Sequence, residues 1–462
     1  MSSVSQMNLK PVRSFERAEE LLRLLKYEAK ALPYETEDLG LEGAKAMRLR
    51  SDRSPARGYG VLIVELDQAP RSLRRFGRRL VEEFHDNPLA LIGIRNGGEE
   101  WGELMIVRPR LIEGGGGAVA LRKLTIDVER PTAHDAEVVR GLAWEEGDPD
   151  GSQTRIDIAL DVERVTKRFF EGLDRHHRRL LEEIQGLAEK SPAVLAGLER
   201  AGGAERVSLR IVTQVLFCYF LQRKGLLEGE RGWLSLAFGR NLSEGDYYQR
   251  VLEPLFYDAL AKPLEDRPED WQREGIPFLN GGLFERHYGD VSLPLADELF
   301  TTDEGLLGFL DSWTFTVAEE AADESEVAVD PEMLGRVFEN LISEEEMRRE
   351  GTVYTPRPVV QFMCREALIP YLVRKAELSE NQVRELLVED DALERLNEEM
   401  GASEALALAE RLDRAVAEIR AIDPAVGSGA FLLGLMAELL RLRRLAHLVS
   451  SGKEPDPERL RE

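Results

Sequence analysis

Apolar and polar positions in the first 150 residues follow the pattern of short buried strands around one amphipathic helix. A first helix is predicted over residues 14–30, where apolar side chains recur at helical spacing. The elements predicted after it, in chain order, are strand 58–66, helix 72–85, strand 88–96, strand 101–110 and strand 118–128. Strands and a helix in this order are typical of a small α/β domain, which we assign to residues 1–150.

The period of the apolar positions becomes helical from about residue 155. The first long helical segment carries one apolar stripe, which consists of Val162, Val165, Phe169, Leu173 and Leu180. Residues 208–227 are more uniformly apolar and predict a buried helix with Gly225 at its C-terminal cap. A further helix is predicted at 330–342. We therefore expect a helical domain over residues 151–345.

The strongest local signal is the string Asp-Pro-Ala-Val-Gly-Ser-Gly at residues 423–429. Ala421 and Ile422 before it favour a strand and the residues after it favour a helix, so the string forms a turn between the two. Gly427 and Gly429 let the backbone pass close to a ligand. Free amide N–H groups at the start of a helix attract an anion. The string is a candidate ligand site; the alternative interpretation is an ordinary strand-to-helix turn.

The second signal is the string Gly-Thr-Val-Tyr-Thr-Pro-Arg at residues 351–357, which leads into another helical segment. Thr355 is suited to cap that helix and Pro356 to occupy its first position. A loop that enters a helix can turn its backbone toward a ligand, although this string alone predicts only a helix start. The acidic residues 372–420 between the two strings predict a solvated helical hairpin.

Together, and in this order, the two strings resemble the loops of the amino-methylating DNA methyltransferases that modify adenine N6. The upstream residues that look like the region before the methylase in type IIG restriction–modification enzymes and phage-defence methyltransferases are 210–227, 276–284 and 327–342. In that family the two loops flank one S-adenosyl-L-methionine (AdoMet). The residues implied on its methionine side are Tyr354, Thr355 and Pro356. The residues implied around its amino-acid moiety are Asp423, Pro424, Ala425, Gly427 and Gly429, with Phe431 packed beside them.

The resemblance also implies a fold for the last part of the chain. Residues 346–462 are expected to form the N-terminal part of a Rossmann-like AdoMet-dependent methyltransferase domain. The whole chain is therefore expected to be an α/β and α multidomain protein. Its small α/β domain, its central helical domain and this truncated methyltransferase domain follow one another along the sequence.

One departure from the family pattern limits what the chain is expected to do alone. The family methylates with an Asn/Asp-Pro-Pro-Tyr/Phe loop, whose polar groups bind the amino group of a flipped adenine while the aromatic ring stacks on the base. This sequence contains no Pro-Pro dipeptide. The resemblance thus implies the N-terminal portion of a methylase, inactive alone. Its implied partners are double-stranded DNA and the remainder of the methylase, either downstream in the same chain or from a split gene.

Two pairs of carboxylates in the first domain raise the question of a nuclease. Type IIG enzymes often begin with a nuclease in which carboxylates bind Mg²⁺ and a lysine helps to activate water. Glu65 and Asp67 lie at the end of a predicted strand, and Asp127 and Glu129 form a similar pair, but neither pair has a lysine where the motif requires it. We therefore expect a degenerate or non-nuclease domain. Two alternatives to the methylase stay open: a non-catalytic DNA-binding or assembly module that retains an AdoMet-binding scaffold, and a type IIG restriction endonuclease subunit.

The composition narrows the class of protein further. The chain has 86 acidic and 61 basic residues and a net charge of -25, which argues against non-specific coating of nucleic acid but permits a local basic cleft. It has no apolar run of membrane-spanning length, and its first residues lack the apolar core of a secretory signal. Cys218 and Cys364 lack metal-ligand spacing and are expected to be core thiols in a reducing cytoplasm. The adjacent His176 and His177 are expected to be solvated.

Overall fold

The computed structural model describes most of the chain. The residues it describes are 5–27, 32–34, 44–50, 60–69, 73–84, 88–111, 119–239, 247–272, 275–279, 282–286, 293–316, 324–330, 355, 357–388, 392, 401–424, 426 and 429–451. The helix predicted at 330–342 lies almost entirely outside them.

One mixed sheet is present in the described part of the chain, and its strands are hydrogen-bonded in the order in which the chain forms them. They are β1 (Leu32–Tyr34), β2 (Lys45–Arg50), β3 (Gly60–Leu66), β4 (Leu89–Ile94), β5 (Glu103–Leu111), β6 (Val119–Asp127) and β7 (Glu324–Glu326). Neighbouring strands pair antiparallel, except that β3 with β4 and β6 with β7 are parallel. The register places Glu65 of β3 between Lys45 of β2 and Gly93 of β4.

Helices make up most of the remaining described residues. They are α1 (Gln6–Leu9), α2 (Phe15–Leu24), α3 (Leu73–Phe84), α4 (Ala133–Gly141), α5 (Pro149–Ala159), α6 (Val162–Lys190), α7 (Pro192–Arg200), α8 (Ala204–Arg223), α9 (Trp233–Gly239), α10 (Leu306–Asp311), α11 (Arg357–Lys375), α12 (Glu380–Val388), α13 (Ala402–Ala417) and α14 (Ala430–Ser451). Two π-helical segments follow α9, at Tyr248–Leu252 and Leu255–Leu260.

Both faces of the sheet are covered, because successive side chains of a strand point to opposite faces. Val61 and Ile63 of β3 belong to the larger hydrophobic core, together with α2 and the central helices. Leu62 and Val64 pack on the other face with residues of α3. All of β3 is buried, as is typical of a strand covered on both sides. The strands and the helix predicted between residues 58 and 128 are confirmed, with small shifts at their ends.

The predicted helical pattern of the central region is also confirmed. Val165, Phe169, Leu173 and Leu180 of the α6 stripe are buried, and Val162 packs partly buried against the same core. Gly225 follows α8 with a φ of +72°, a left-handed conformation that favours glycine after a helix. The predicted helix 14–30 is shorter, since α2 ends at Leu24 and Lys26 adopts a φ of +68°.

The sheet and the central helices share one hydrophobic core. This core includes Leu9 near the start of the chain, residues of β3 to β6, residues of α6 and α8, and Val329. In addition, β7 lies within the range predicted to be helical, and it pairs with β6 over Leu121 to Lys123. The boundary at residues 150 and 151 stays a prediction from the sequence; among the described residues, the two ranges on either side of it are packed together.

The last four helices form a second hydrophobic cluster, in which Leu368, Leu372, Leu412 and Leu442 are buried. The helices predicted for 372–420 are present in the described parts of that range as α12 and α13. The expectation that they form a solvated hairpin is wrong, because their apolar residues, such as Leu386 and Leu408, are buried in this second cluster. The strand predicted through Ala421 and Ile422 is wrong. A strand needs a neighbour to accept and donate its backbone hydrogen bonds, and no described strand pairs with these residues. Both are therefore exposed, with 90% of Ile422 open to solvent.

Candidate functional site

The turn at 423–429 is partly described. Asp423, Pro424 and Gly429 lie within the described residues, whereas Ala425 and Gly427 lie outside them. Gly429 has a φ of +82°. Its N–H donates to the carbonyl of Val426 at 2.7 Å, and its own carbonyl accepts from Leu433 N–H at 2.9 Å. Gly429 is thus the residue at which the turn becomes α14.

The backbone conformation at position 429 favours glycine, because residues other than glycine rarely adopt this φ. Among the described residues, apart from its chain neighbours, no atom lies within 4 Å of the position that a Cβ would take there. As far as the described residues show, the space beside the start of α14 is open, which suits the close approach of a ligand to the backbone.

The string at 351–357 ends at the start of α11. Thr355 is half-buried and precedes the helix, which begins at Arg357, so the predicted helix start is confirmed. Tyr354 and Pro356 lie outside the described residues.

The two helices that follow the two strings are in contact near their starts. A Cβ at Gly434 of α14 would lie 2.5 Å from Cγ1 of Val360 on α11. The thiol of Cys364 lies 3.5 Å from the carbonyl oxygen of Phe431. These residues fall within the first two turns of each helix. The fold therefore brings together the two chain segments that leave the predicted loops.

A buried carboxylate ties the same two helices together. Glu438 of α14 is 4% exposed. Its Oε1 accepts from Nε2 of Gln361 at 2.8 Å and from Nε of Arg365 at 3.0 Å, both on α11. Its Oε2 accepts from Nε of Arg441 at 3.4 Å, and Arg441 also donates to the carbonyl of Leu386 at 2.7 Å. Sequence reasoning missed this site, since a Glu on a helix is ordinarily read as solvated.

Several large apolar side chains near the starts of α11 and α14 are exposed. On α11, Phe362 is 64% exposed, and Leu433 on α14 is 59% exposed. The other such side chains are Val359, Met363, Ile422, Val426, Leu432 and Met436. We call these eight residues the apolar face. Exposed apolar side chains next to a candidate ligand site are typical of an interaction site.

The carboxylates considered for a nuclease are engaged by protein groups. Glu65 forms an ion pair with Arg95 and accepts a hydrogen bond from Nε1 of Trp101 at 2.8 Å. Lys45 reaches the same carboxylate at 3.9 Å from the neighbouring strand. Sequence spacing missed Lys45 because only the sheet register brings it there. Asp67 is largely exposed, and its Oδ1 lies 3.5 Å from Arg95.

The second carboxylate pair serves the turn after β6. Oδ1 of Asp127 accepts from the backbone N–H of Glu129 at 3.0 Å and of Arg130 at 3.3 Å. Among the described residues, no group of three or more His, Cys, Asp or Glu side chains is arranged to hold a metal ion.

A buried polar cluster that the sequence did not suggest lies between α4 and the segment after α10. The hydroxyl of Thr314 donates to Oδ1 of Asp135 at 2.5 Å and lies 3.2 Å from Nδ1 of His134. Burial raises the pKa of Asp135 to about 6, although hydrogen bonds from Thr132 and Thr314 oppose this. Burial lowers the pKa of His134 to about 4. Asp135 also closes the N-terminal capping box of α4 with Thr132, so the cluster is structural.

The two cysteines and the two adjacent histidines considered in the sequence pack against other protein groups. Cys218 and Cys364 are buried free thiols, as predicted, and burial raises the pKa of each. The prediction that both histidines of the pair are solvated is wrong. His177 is buried and its Nε2 lies 2.9 Å from the hydroxyl of Ser208, while His176 packs on Phe309. In the described part of the chain no helix is long and apolar enough to cross a membrane.

Comparison with known proteins gives one point of reference. No protein-family model matches the sequence, and no solved structure matches it. Over 256 residues it is 27% identical to a protein of Methanocaldococcus jannaschii that is named as a type II restriction enzyme and methyltransferase. The chain is similar to a restriction–modification methyltransferase. The match covers 52% of this chain and 21% of that relative, so the chain spans only a fraction of the relative's length.

Proposed function

We propose that this chain is the N-terminal portion of a site-specific adenine-N6 DNA methyltransferase of a restriction–modification or phage-defence system in the cytoplasm. In this proposal AdoMet binds between the loop that ends at Arg357 and the turn that ends at Gly429. The observation that carries the proposal is the contact between α11 and α14 near their starts. Similarity to a methyltransferase of a restriction–modification system supports the same assignment.

The described residues around Gly429 fit a cofactor of this kind. None of the described residues, apart from its chain neighbours, fills the place that a Cβ at Gly429 would take, so the backbone can approach a ligand there. The carboxylate of AdoMet suits the N-terminus of α14, where helix N–H groups and the helix dipole attract an anion. The carboxylate of Asp423 suits its amino group. AdoMet, when bound, supplies the methyl group that is transferred.

The protein's own residues would then bind and orient the cofactor rather than act on the base. Thr355, with Tyr354 and Pro356, would line the methionine side of AdoMet. Asp423, Pro424, Ala425, Gly427 and Gly429 would hold the amino-acid moiety, with Phe431 beside it. The groups that bind the adenine amino group would come from the remainder of the methylase.

The apolar face supports the proposal that another part of a methylase packs here. Ile422 and Phe362 are among the most exposed apolar side chains of the described residues, and covering them removes apolar surface from water. The proposed partners are therefore the remainder of the methylase, in the same chain or as a split-gene product, and double-stranded DNA.

Equilibrium binding of labelled AdoMet tests this function. We expect the complete methylase to bind AdoMet, the present chain alone to bind it weakly or not at all, and Asp423→Ala to abolish binding by the complete protein. Asp413→Ala is the matched control. Asp413 lies on α13, away from the turn at 423–429, and forms an ion pair with Arg443 on α14. Full affinity after Asp423→Ala would contradict the assignment. DNA binding without AdoMet binding would instead favour the non-catalytic DNA-binding module.

A further inference from the structure

The helices α11 and α14 meet at two points that lie one turn apart on α14. The first point is Gly434 and the second is Glu438, so both side-chain positions lie on the same face of the helix. Each point involves residues in the first half of α11. The two contacts together fix how the starts of the helices are placed relative to each other.

At the first point the absence of a side chain allows close approach. A Cβ at Gly434 would lie 2.5 Å from Cγ1 of Val360 and 3.7 Å from Sγ of Cys364. The shorter distance is closer than carbon atoms tolerate, so any other residue would force Val360 into another rotamer or move α11 away from α14. Gly434 therefore permits the close approach of the helices.

At the second point a charged group sets the offset along the helices. The Glu438 carboxylate accepts hydrogen bonds from Gln361 and Arg365, which lie one turn apart on α11. The side chains of Arg365 and Arg441 are each 16% exposed. A buried carboxylate must keep its partners to offset its desolvation. Sliding α11 by one turn would carry at least one of these two donors away from the carboxylate.

We propose that Gly434 and Glu438 are positioning residues that hold the Thr355 loop and the Asp423 turn at the separation AdoMet requires. This inference rests on the proposed function for its ligand and on the contacts above for its geometry. Neither residue touches the cofactor in this proposal. Both act through the first turns of the two helices, which directly follow the loop and the turn in the chain.

The first measurement is a distance between the two loops, and it requires no cofactor. Spin labels on Thr355→Cys and Val426→Cys report the separation of the loops in the complete protein. We expect Glu438→Leu and Gly434→Ala to shift or broaden the distance distribution, and Glu438→Gln to change it less, because an amide can still accept one hydrogen bond. The controls are Glu366→Gln, which breaks an exposed pair with Arg384, and helical Gly186→Ala, where a Cβ meets nothing.

The second measurement separates positioning from folding. We expect Glu438→Leu to raise the KM for AdoMet about tenfold or more, because small displacements of binding groups are costly, while the KM for DNA stays unchanged. A loss of folded protein would lower kcat and leave both KM values in place. Glu438→Gln should recover part of the affinity for AdoMet. Should Glu438→Leu fail to fold, Gly434→Ala carries the same comparison.

The outcomes are distinct. Unchanged loop distances and an unchanged KM for AdoMet in Glu438→Leu and Gly434→Ala would overturn the positioning role. A different outcome is that the loop distances change in the two variants while the wild-type protein binds no AdoMet. That outcome would overturn the proposed function and leave the positioning of the loops supported.

Discussion

Arg95, the residue after β4, pairs with the carboxylate of Glu65 on the adjacent parallel strand β3. Trp101 donates a second hydrogen bond to the same carboxylate, and the side chain of Glu65 is only 11% exposed. The residue that looked like a candidate metal ligand in the sequence is therefore part of the internal support of the sheet.

Removing Arg95 should destabilise the protein more than removing Glu65 and Arg95 together. Arg95→Met leaves the Glu65 charge poorly compensated, at a cost of about 1–3 kcal/mol in the free energy of unfolding. The double variant Glu65→Gln/Arg95→Met should recover part of that loss, which chemical denaturation in a double-mutant cycle measures. Arg79→Met is the control, because its pair with Glu82 is exposed. Additive losses would show that the pair is not coupled.

Metal binding gives an independent check on the same residue. We expect calorimetric titration with Mn²⁺ to give the same result for the wild type and for Glu65→Gln, since Glu65 is already bonded to Arg95 and Trp101. Binding that disappears in Glu65→Gln would make Glu65 a metal ligand after all.

Gly93→Ala should be among the most damaging single substitutions in the sheet. A Cβ at this position would lie 1.9 Å from the ring of Trp101, and the ring is buried. Overpacking of this kind costs about 1–3 kcal/mol or more. Thermal unfolding should show a clearly lower midpoint than for Gly186→Ala, which adds a methyl group to open space. Equal midpoints for the two variants would argue against the packing described.

Asp135 should make stability depend on pH in a defined window. Its pKa is raised from 3.8 to about 6 by burial, so its contribution is fully present below pH 3.8 and is lost as the pH rises through about 6. Asp135→Asn removes this titration. The free energy of unfolding of Asp135→Asn, relative to wild type, should therefore rise between pH 4 and pH 6, by roughly 1–3 kcal/mol.

The neighbouring His134 acts in the opposite direction and provides the control. Its pKa is lowered from 6.5 to about 4 by burial, so its contribution is present above pH 6.5 and is lost as the pH falls through about 4. The relative stability of His134→Gln should accordingly fall between pH 4 and pH 6.5. Urea unfolding at a series of pH values measures both variants, and slopes of the same sign would refute the assignment.

Polar substitutions in the apolar face should leave the fold intact and weaken the binding of apolar molecules to that face. Phe362→Ser with Leu433→Ser changes two largely exposed side chains, and the midpoint of thermal unfolding should shift little, because such surface changes stay within about 0.5 kcal/mol each. Binding of a hydrophobic fluorescent dye should fall. The control Leu236→Ser alters an exposed leucine on α9, outside the apolar face, and should change dye binding much less.

Much of the fold follows directly from local sequence pattern. The buried strand at Gly60–Leu66 and the α6 stripe around Phe169 were predicted because burial imposes a period on each element. The start of α11 after Thr355 and the turn into α14 at Gly429 were predicted from capping and glycine signals. These features depend on neighbours that are close in sequence.

The features that could not be predicted depend on partners that are distant in sequence. Lys45 reaches Glu65 only through the register of β2 and β3. Glu438 is buried only because α11 supplies Gln361 and Arg365. Ile422 is a case in which a local pattern misleads. Its sequence favours a strand, but a strand forms only beside another strand, and no described strand pairs with it.

The pairing of β7 with β6 bears on how the protein is made. Residues of the seventh strand leave the ribosome about 200 residues after those of the sixth, and synthesis of that stretch takes about 10–40 s. During this interval the outer edge of the nascent sheet has unpaired backbone groups that can recruit other chains. A chain released before residue 326 would leave Leu121–Lys123 of this edge unpaired, and we expect it to aggregate more readily than the full chain.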